Sequence, residues 1–242
     1  MRGGDDIGRP FPATRHSALA ALRAGGPERE RALETLVAMY WRPIYGLLRL
    51  RFRKQHEDAA DLTQDFFEAL VERDLLAAFD PARGRLRTFL RVSLDGFAAN
   101  QSRAARRLKR GGGAVQVSCD FEGARLELEA VCATAPSPEV LFDQEWTRAF
   151  FQLALHRLEG RCLREGKEQH FRLFEQYELG AARSSYAELA ERFGIATTDV
   201  TNRLAWTRRE LRATVLELLR ECTAGEAEFR AEARLLLGLD AP

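Results

Sequence analysis

The strongest signal along the chain is apolar residues recurring at three- and four-residue spacing, and no stretch sustains the alternation of a strand. From near Pro27, Leu33, Leu36, Val37, Tyr40, Trp41, Ile44, Leu47 and Leu48 fall on one stripe of a long helix. Pro43 lies within that stripe and is expected to kink or divide it. A second helix fits Glu57 to Arg73, with Leu62, Phe66, Ala69 and Leu70 turned inward. Asp58, Asp61 and Asp65 lie on its other side, the first two near the positive N-terminal end. Phe79 to Gly84 reads as a turn. A third helix runs from about Leu86 to Leu108, stopped by Gly111-Gly112-Gly113. Ahead of these, residues 1–13 predict a flexible N-terminus and Thr14 to Arg23 a short helix.

Helical spacing resumes near Pro138 with Leu141, Trp146, Phe150, Phe151, Leu153, Leu155 and Leu158. A further helix covers roughly Lys167 to Tyr177, and Gly180 to Arg183 breaks the pattern. A short helix, a glycine turn and a longer helix to about Arg220 follow. Glu226 to Leu239 predicts one more. The expected fold class is all-α. Two helical domains, residues 14–112 and 138–222, are joined by a linker at 113–137 and followed by an extension at 223–242.

Charge sharpens this division. The net charge of the 242 residues is only +1, so global charge names no partner, but its distribution is uneven. From Arg83 to Arg110 there are nine basic residues against Asp95 alone, whereas Gly111 to Thr147 holds seven acids and one base, Arg125. That reversal, with Pro136 and Pro138, is what marks the linker. Only Lys54, Lys109 and Lys167 are lysine; arginine suits bidentate phosphate and guanine contacts, although a GC-rich genome explains most of the bias. No apolar run approaches a membrane span, and Met1 to Thr14 has no signal-peptide core, so a cytoplasmic protein without membrane partners is expected. The four cysteines and four histidines are scattered, with no Cys-x-x-Cys pair, which argues against a metal site. No phosphate loop or nucleophile motif appears, so no enzyme activity and no cofactor are expected.

Ser185 to Leu211 carries the most informative pattern. Ser185 and Glu188 are spaced as a capping box. Leu189, Ala190 and Phe193 face inward, and Gly194 falls where an interhelical turn needs positive φ. Ile195, Val200 and Leu204 give the next helix its buried side, with small Ala190 allowing a close crossing. This is the spacing of a helix-turn-helix. It leaves Thr198, Asp199, Thr201, Asn202 and Arg203 near the exposed start of the second helix, the part that enters a major groove. Asn and Arg read adenine and guanine edges, at roughly 1–3 kcal/mol per bidentate pair. Arg208, Arg209 and Arg212 follow, spaced for phosphates. A plain helical hairpin with a solvated face is the bland alternative.

The third helix combines Arg87, Arg91 and the tract Arg103, Arg106, Arg107, Lys109 and Arg110 with Phe89 and Phe97. Basic groups neutralise phosphates, and aromatics hold unstacked bases. Phe97 reads as core; Phe89 is open between core and base capture.

These residues resemble a bacterial RNA polymerase sigma factor of the extracytoplasmic-function class. Asp61-Leu62-Thr63-Gln64, within Asp58 to Phe67, is similar to the family's signature in the helix that docks on the clamp coiled coil of the largest polymerase subunit. Phe79 to Leu90 resembles the approach to its promoter-melting helix, and the helix-turn-helix resembles its domain for the upstream promoter element. The resemblance covers about Thr14 to Glu221. It implies core RNA polymerase, through clamp and flap, and promoter DNA as partners. It assigns Asp58, Asp61, Gln64 and Asp65 to polymerase binding. Arg87, Thr88, Phe89, Arg91, Asn100, Gln101, Arg103, Arg106 and Arg107 are assigned to the downstream element and its melting. Thr198, Asp199, Thr201, Asn202, Arg203 and Arg208 are assigned to the upstream element.

The chain departs from the family pattern in places. Ala60 stands where an acid is frequent, Phe89 where tryptophan is common, Gly96 where asparagine is usual, Thr201 where a base is usual. Ala196 replaces the usual serine cap, leaving Thr197 as the candidate cap. Three routes of regulation stay open: an anti-sigma partner, a kinase acting on Thr63, and an acidic linker or tail that covers the DNA-binding surfaces of the free protein. The rival reading is a stand-alone helix-turn-helix regulator; a metal-dependent nuclease is a third.

Overall fold

The computed structural model describes residues 26–72, 75–80, 83–104, 119–180, 184–223 and 225–238, with side chains for all of these except 101–104. The expected flexible N-terminus and the Thr14–Arg23 helix lie outside the described residues, as do Arg106, Arg107 and the rest of the basic tract to Arg110. The described residues are all-helical, with no strand among them.

Helix α1 (Gly26–Leu50) runs through Pro43 without a break. A mid-helix proline removes one backbone hydrogen bond. Here Met39, Tyr40, Ile44, Tyr45, Leu47 and Leu48 are all buried, and that packing holds the two halves in one helix. Helix α2 (His56–Glu72) buries Ala59, Thr63, Phe66, Phe67, Ala69 and Leu70, while Leu62 is only partly covered. A short 3-10 turn (Leu75–Ala78) leads to α3 (Leu86–Ala104), which buries Leu86, Leu90, Leu94, Phe97 and Ala98. Phe97 meets Phe66 edge-on at 5.4 Å and is core, as expected.

The described part of the expected linker is not an open connector. Residues Arg125–Thr134 form α4, and Phe121, Ala124 and Leu128 are buried in the same core as α1. Trp41 meets Phe121 at 5.1 Å. The acids that marked the linker are paired: Glu127 takes the guanidinium of Arg42 at 2.9 Å, Glu122 lies 2.9 Å from the His56 ring, and Glu129 lies 4.0 Å from Arg49. With Tyr45 Oη 2.7 Å from His56 Nδ1, a proton on Nε2 satisfies both neighbours of that buried ring.

Ser137 caps α5 (Pro138–Arg164), with Pro138 at its first turn. Gly46 makes the crossing of α1 and α5 close, since a Cβ there would stand 2.5 Å from Leu141 Cδ2. Helix α6 (Glu168–Phe174), with a π turn at Glu175–Leu179, precedes α7 (Tyr186–Phe193) and α8 (Thr197–Cys222). Helix α9 (Glu226–Leu237) ends the described chain.

Two long helices join the halves. The first part of α5 buries Phe142, Trp146 and Phe150 against the α1 core, and its last part buries Leu158 and Cys162 against Phe171. Helix α8 likewise contributes Val200 and Leu204 to the α6–α7 cluster and Val215, Leu218 and Leu219 to the α1 core. Arg157–Glu221 at 2.7 Å and Arg161–Glu217 at 2.6 Å stitch α5 to α8. Among the described residues no helix is long and apolar enough to cross a membrane. The four cysteines are unbridged, and burial pushes the Cys119 thiol up to about 12.

Candidate functional site

Three surfaces carry the candidate residues. The first is on α2. Burial of Ala59, Thr63, Phe66 and Phe67 fixes the rotation of the helix, and leaves Asp58, Asp61 and Asp65 exposed and Gln64 half-buried. The acidic stripe continues through Glu68 and Glu72, which the sequence reading left out although their i, i+4, i+7, i+11 spacing from Asp61 is legible. Partial burial and the Asp61 carboxylate push Asp65 above the usual carboxylate range, and burial with Asp65 and Glu72 does the same to Glu68. An anionic stripe under self-repulsion favours a cationic partner. Thr63 is the inward member of this motif. It is fully buried, and its hydroxyl donates to the Ala59 carbonyl at 2.7 Å. The expected kinase site is therefore closed in this fold.

The second surface is the helix-turn-helix of α7 and α8. Ser185 and Glu188 form the full capping box: the Ser185 N–H donates to Glu188 at 2.7 Å, and the Glu188 N–H to the Ser185 hydroxyl at 3.3 Å. Gly194 adopts φ 64°, the left-handed turn that favours glycine, and the Ile195 N–H returns to the Ala190 carbonyl at 3.0 Å. Leu189, Val200 and Leu204 are fully buried between the helices. This rotation exposes Thr198, Asp199, Thr201 and Asn202 on the first turns of α8. Thr197 is not the cap: Ala196 takes that position without a side-chain bond, and Thr197 begins the helix. Its carbonyl accepts from the Thr201 hydroxyl at 3.2 Å. Two assigned arginines are engaged internally. Arg203 donates to Gln169 of α6, and Arg208 pairs with Glu178 and lies 5.6 Å over Tyr177. Arg209 and Arg212 are exposed bases of this edge.

The third surface is α3. Thr88, Val92, Gly96 and Asn100 share an exposed stripe at four-residue spacing, with half-buried Arg91 beside it. The side chains of Gln101 and Arg103 lie outside the described residues. Phe89 is half-buried 5.3 Å from Phe79 and packs on the core. Arg87 is not on the open face expected for it. Its side chain is only 11% exposed, between Glu232 at 3.3 Å and Asp143 at 3.5 Å, and it lies 5.0 Å over Trp146. Arg85, passed over in the sequence reading, joins Glu232 at 3.2 Å. The missed signal is Glu232 itself, an acid on the inward stripe that Phe229, Ala233 and Leu236 define in α9. Such a position needs a basic partner.

No group of three or more metal-ligating side chains capable of holding an ion occurs among the described residues. Comparison with known proteins finds no protein-family model, no curated protein and no solved structure that matches this chain.

Proposed function

We propose that this protein is an RNA polymerase sigma factor resembling the extracytoplasmic-function class. It binds core polymerase, selects a promoter and supports its melting, and performs no chemistry of its own. In this reading residues 14–112 form the region 2-like part, 138–222 the region 4-like part, and α2 docks on the clamp coiled coil. The observation that supports it best is the pairing, in one chain, of two surfaces with opposite tasks. An acidic stripe centred on Asp61, Gln64 and Asp65 suits a basic protein partner. A helix-turn-helix with Thr198, Asp199, Thr201 and Asn202 on its leading edge suits a major groove.

A chain that only bound DNA would have no use for the first surface. Asp61 and Asp65 make charge-assisted contacts with clamp bases. Asn202 reads a base edge, and Arg209 and Arg212 hold phosphates. Thr88, Arg91 and Asn100 meet the downstream element along α3.

The test is capture of purified bacterial core polymerase by the wild-type protein and by the Asp61→Lys, Asp65→Lys double variant. Retention by the wild type and loss in the double variant is the expected result. A wild type that binds promoter-like duplex but never core polymerase replaces this reading with a stand-alone regulator.

A further inference from the structure

The N-terminal end of α3 is occupied by the chain's own carboxylates. Helix α9 buries Phe229 and Ala233 in the core. Its inner edge then meets α3 at two points. Glu228 accepts the backbone N–H of Leu86, the first residue of α3, at 2.9 Å. Glu232 lies between Arg85 at 3.2 Å and Arg87 at 3.3 Å, with its side chain 3% exposed.

This is an anion site in every element. A helix-start N–H with no partner within its own helix, the positive end of a helix dipole and two guanidiniums converge on one place. The same set of donors takes a phosphate diester. Of the described acids in the acidic stretch, Glu122, Glu127, Glu129 and Glu139 pair with His56, Arg42, Arg49 and Arg51, and Asp143 reaches α3 at Arg87.

We propose that α9 is an intramolecular substitute for the nucleic-acid backbone: Glu228 and Glu232 close a phosphate site at Arg85, Leu86 and Arg87 until α9 gives way to a single DNA strand. The inference rests on the reading of α3 as a DNA-facing helix. The contact is suited to exchange. Neither oxygen of the buried Glu232 carboxylate makes a hydrogen bond among the described residues, and burial outweighs the help of Arg87 and Arg85 and holds its pKa above the usual range. A solvated strand offers the arginines phosphates without that burial. Closure also explains why Arg87, in a segment so rich in bases, is hidden.

The test compares Glu232→Arg with Glu226→Arg, an equal charge change on the exposed side of the same helix. A fluorescein-labelled single-stranded thymidine oligonucleotide is titrated, and hydrogen exchange of Leu86 to Leu90 is followed. Glu232→Arg should bind about ten-fold more tightly than Glu226→Arg, through regained phosphate contacts, with faster exchange at the start of α3. Equal affinities in the two variants overturn the proposal, whatever the exchange shows. If Glu232→Arg does not fold, Glu228→Gln decides: faster exchange at Leu86 with tighter binding supports closure, and unchanged exchange or affinity overturns it. Core-polymerase capture by the wild type separates the two readings. Capture without any gain in Glu232→Arg removes the closure alone. Gain without capture removes the sigma reading and keeps an α9-closed DNA site.

Discussion

Arg42 Nε donates to Glu145 at 2.7 Å in the middle of the core, with both side chains under a tenth exposed. Burial opposes the guanidinium's charge, but Glu145 and Glu127 outweigh it and hold the pKa raised. Arg148 extends the network to the same two carboxylates. The network ties α1 to α4 and α5, so it spans the boundary at which two domains were expected to part. Removing one member leaves a buried charge short of its partner. Glu145→Ala should destabilise the protein by about 3 kcal/mol, read by urea unfolding. A loss below about 1 kcal/mol, the range of exposed pairs, would show that water reaches Arg42.

Deleting residues 121–134 tests the connector directly. A solvated linker would tolerate the loss. Here it removes Phe121, Ala124 and Leu128 from the core and Glu127 from Arg42. The deletion should abolish cooperative unfolding in circular dichroism, or lower the midpoint sharply, because three buried apolar contacts contribute several kcal/mol together, roughly 1–3 each for the large side chains. A folded deletion variant would contradict the docking of α4.

Thr63 offers a second contrast. Its side chain has no exposed surface and its hydroxyl is already bonded. Thr63→Val should fold and lose about 1 kcal/mol for one buried hydrogen bond. Thr63→Glu, which puts a charge in that place, should not fold stably. Native protein should resist phosphorylation at Thr63 in vitro, checked by mass spectrometry; efficient modification would require a conformer in which α2 turns this face outward.

Asp65 gives a prediction with pH. Its proton is held more tightly in the folded than in the unfolded chain, because of partial burial and Asp61. Such a group favours the fold below its unfolded pKa, and that contribution is lost as pH rises through the folded value. At pH 7 the ionised carboxyl is therefore a net disadvantage. Asp65→Asn should raise the melting temperature at pH 7 and lose this advantage in acid below the unfolded carboxylate pKa. The same substitution should weaken core-polymerase capture, as expected where binding maintains a destabilising charge. A lower melting temperature at pH 7 would mean that the contacts of Asp65 in the fold outweigh its partial burial and its repulsion from Asp61.

Much of the architecture follows from local pattern. The apolar spacing of α1, α2, α5 and α8 predicts those helices, and Ser185, Glu188 and Gly194 predict the helix-turn-helix because capping and positive φ are chemistry of single positions. The rotation of α2 also follows from its stripe, so the exposed acids of the Asp-Leu-Thr-Gln segment were legible. Residue 43 was not: a proline's local penalty does not reveal that both flanking turns are buried.

What the sequence by itself determined is the long helices and their apolar stripes, since both depend on spacing within a few residues; α4, which lies in the expected linker, and the burial of Thr63 and Glu232 were not legible in it. The tertiary structure decided where the charges go. Glu127 beside Arg42 and Glu232 beside Arg85 and Arg87 are pairs between distant segments. No local pattern distinguishes an acid that meets water from one that meets an arginine. Ion pairing depends on separation in space, and only the packing of α4 and α9 against α1 and α3 sets that separation.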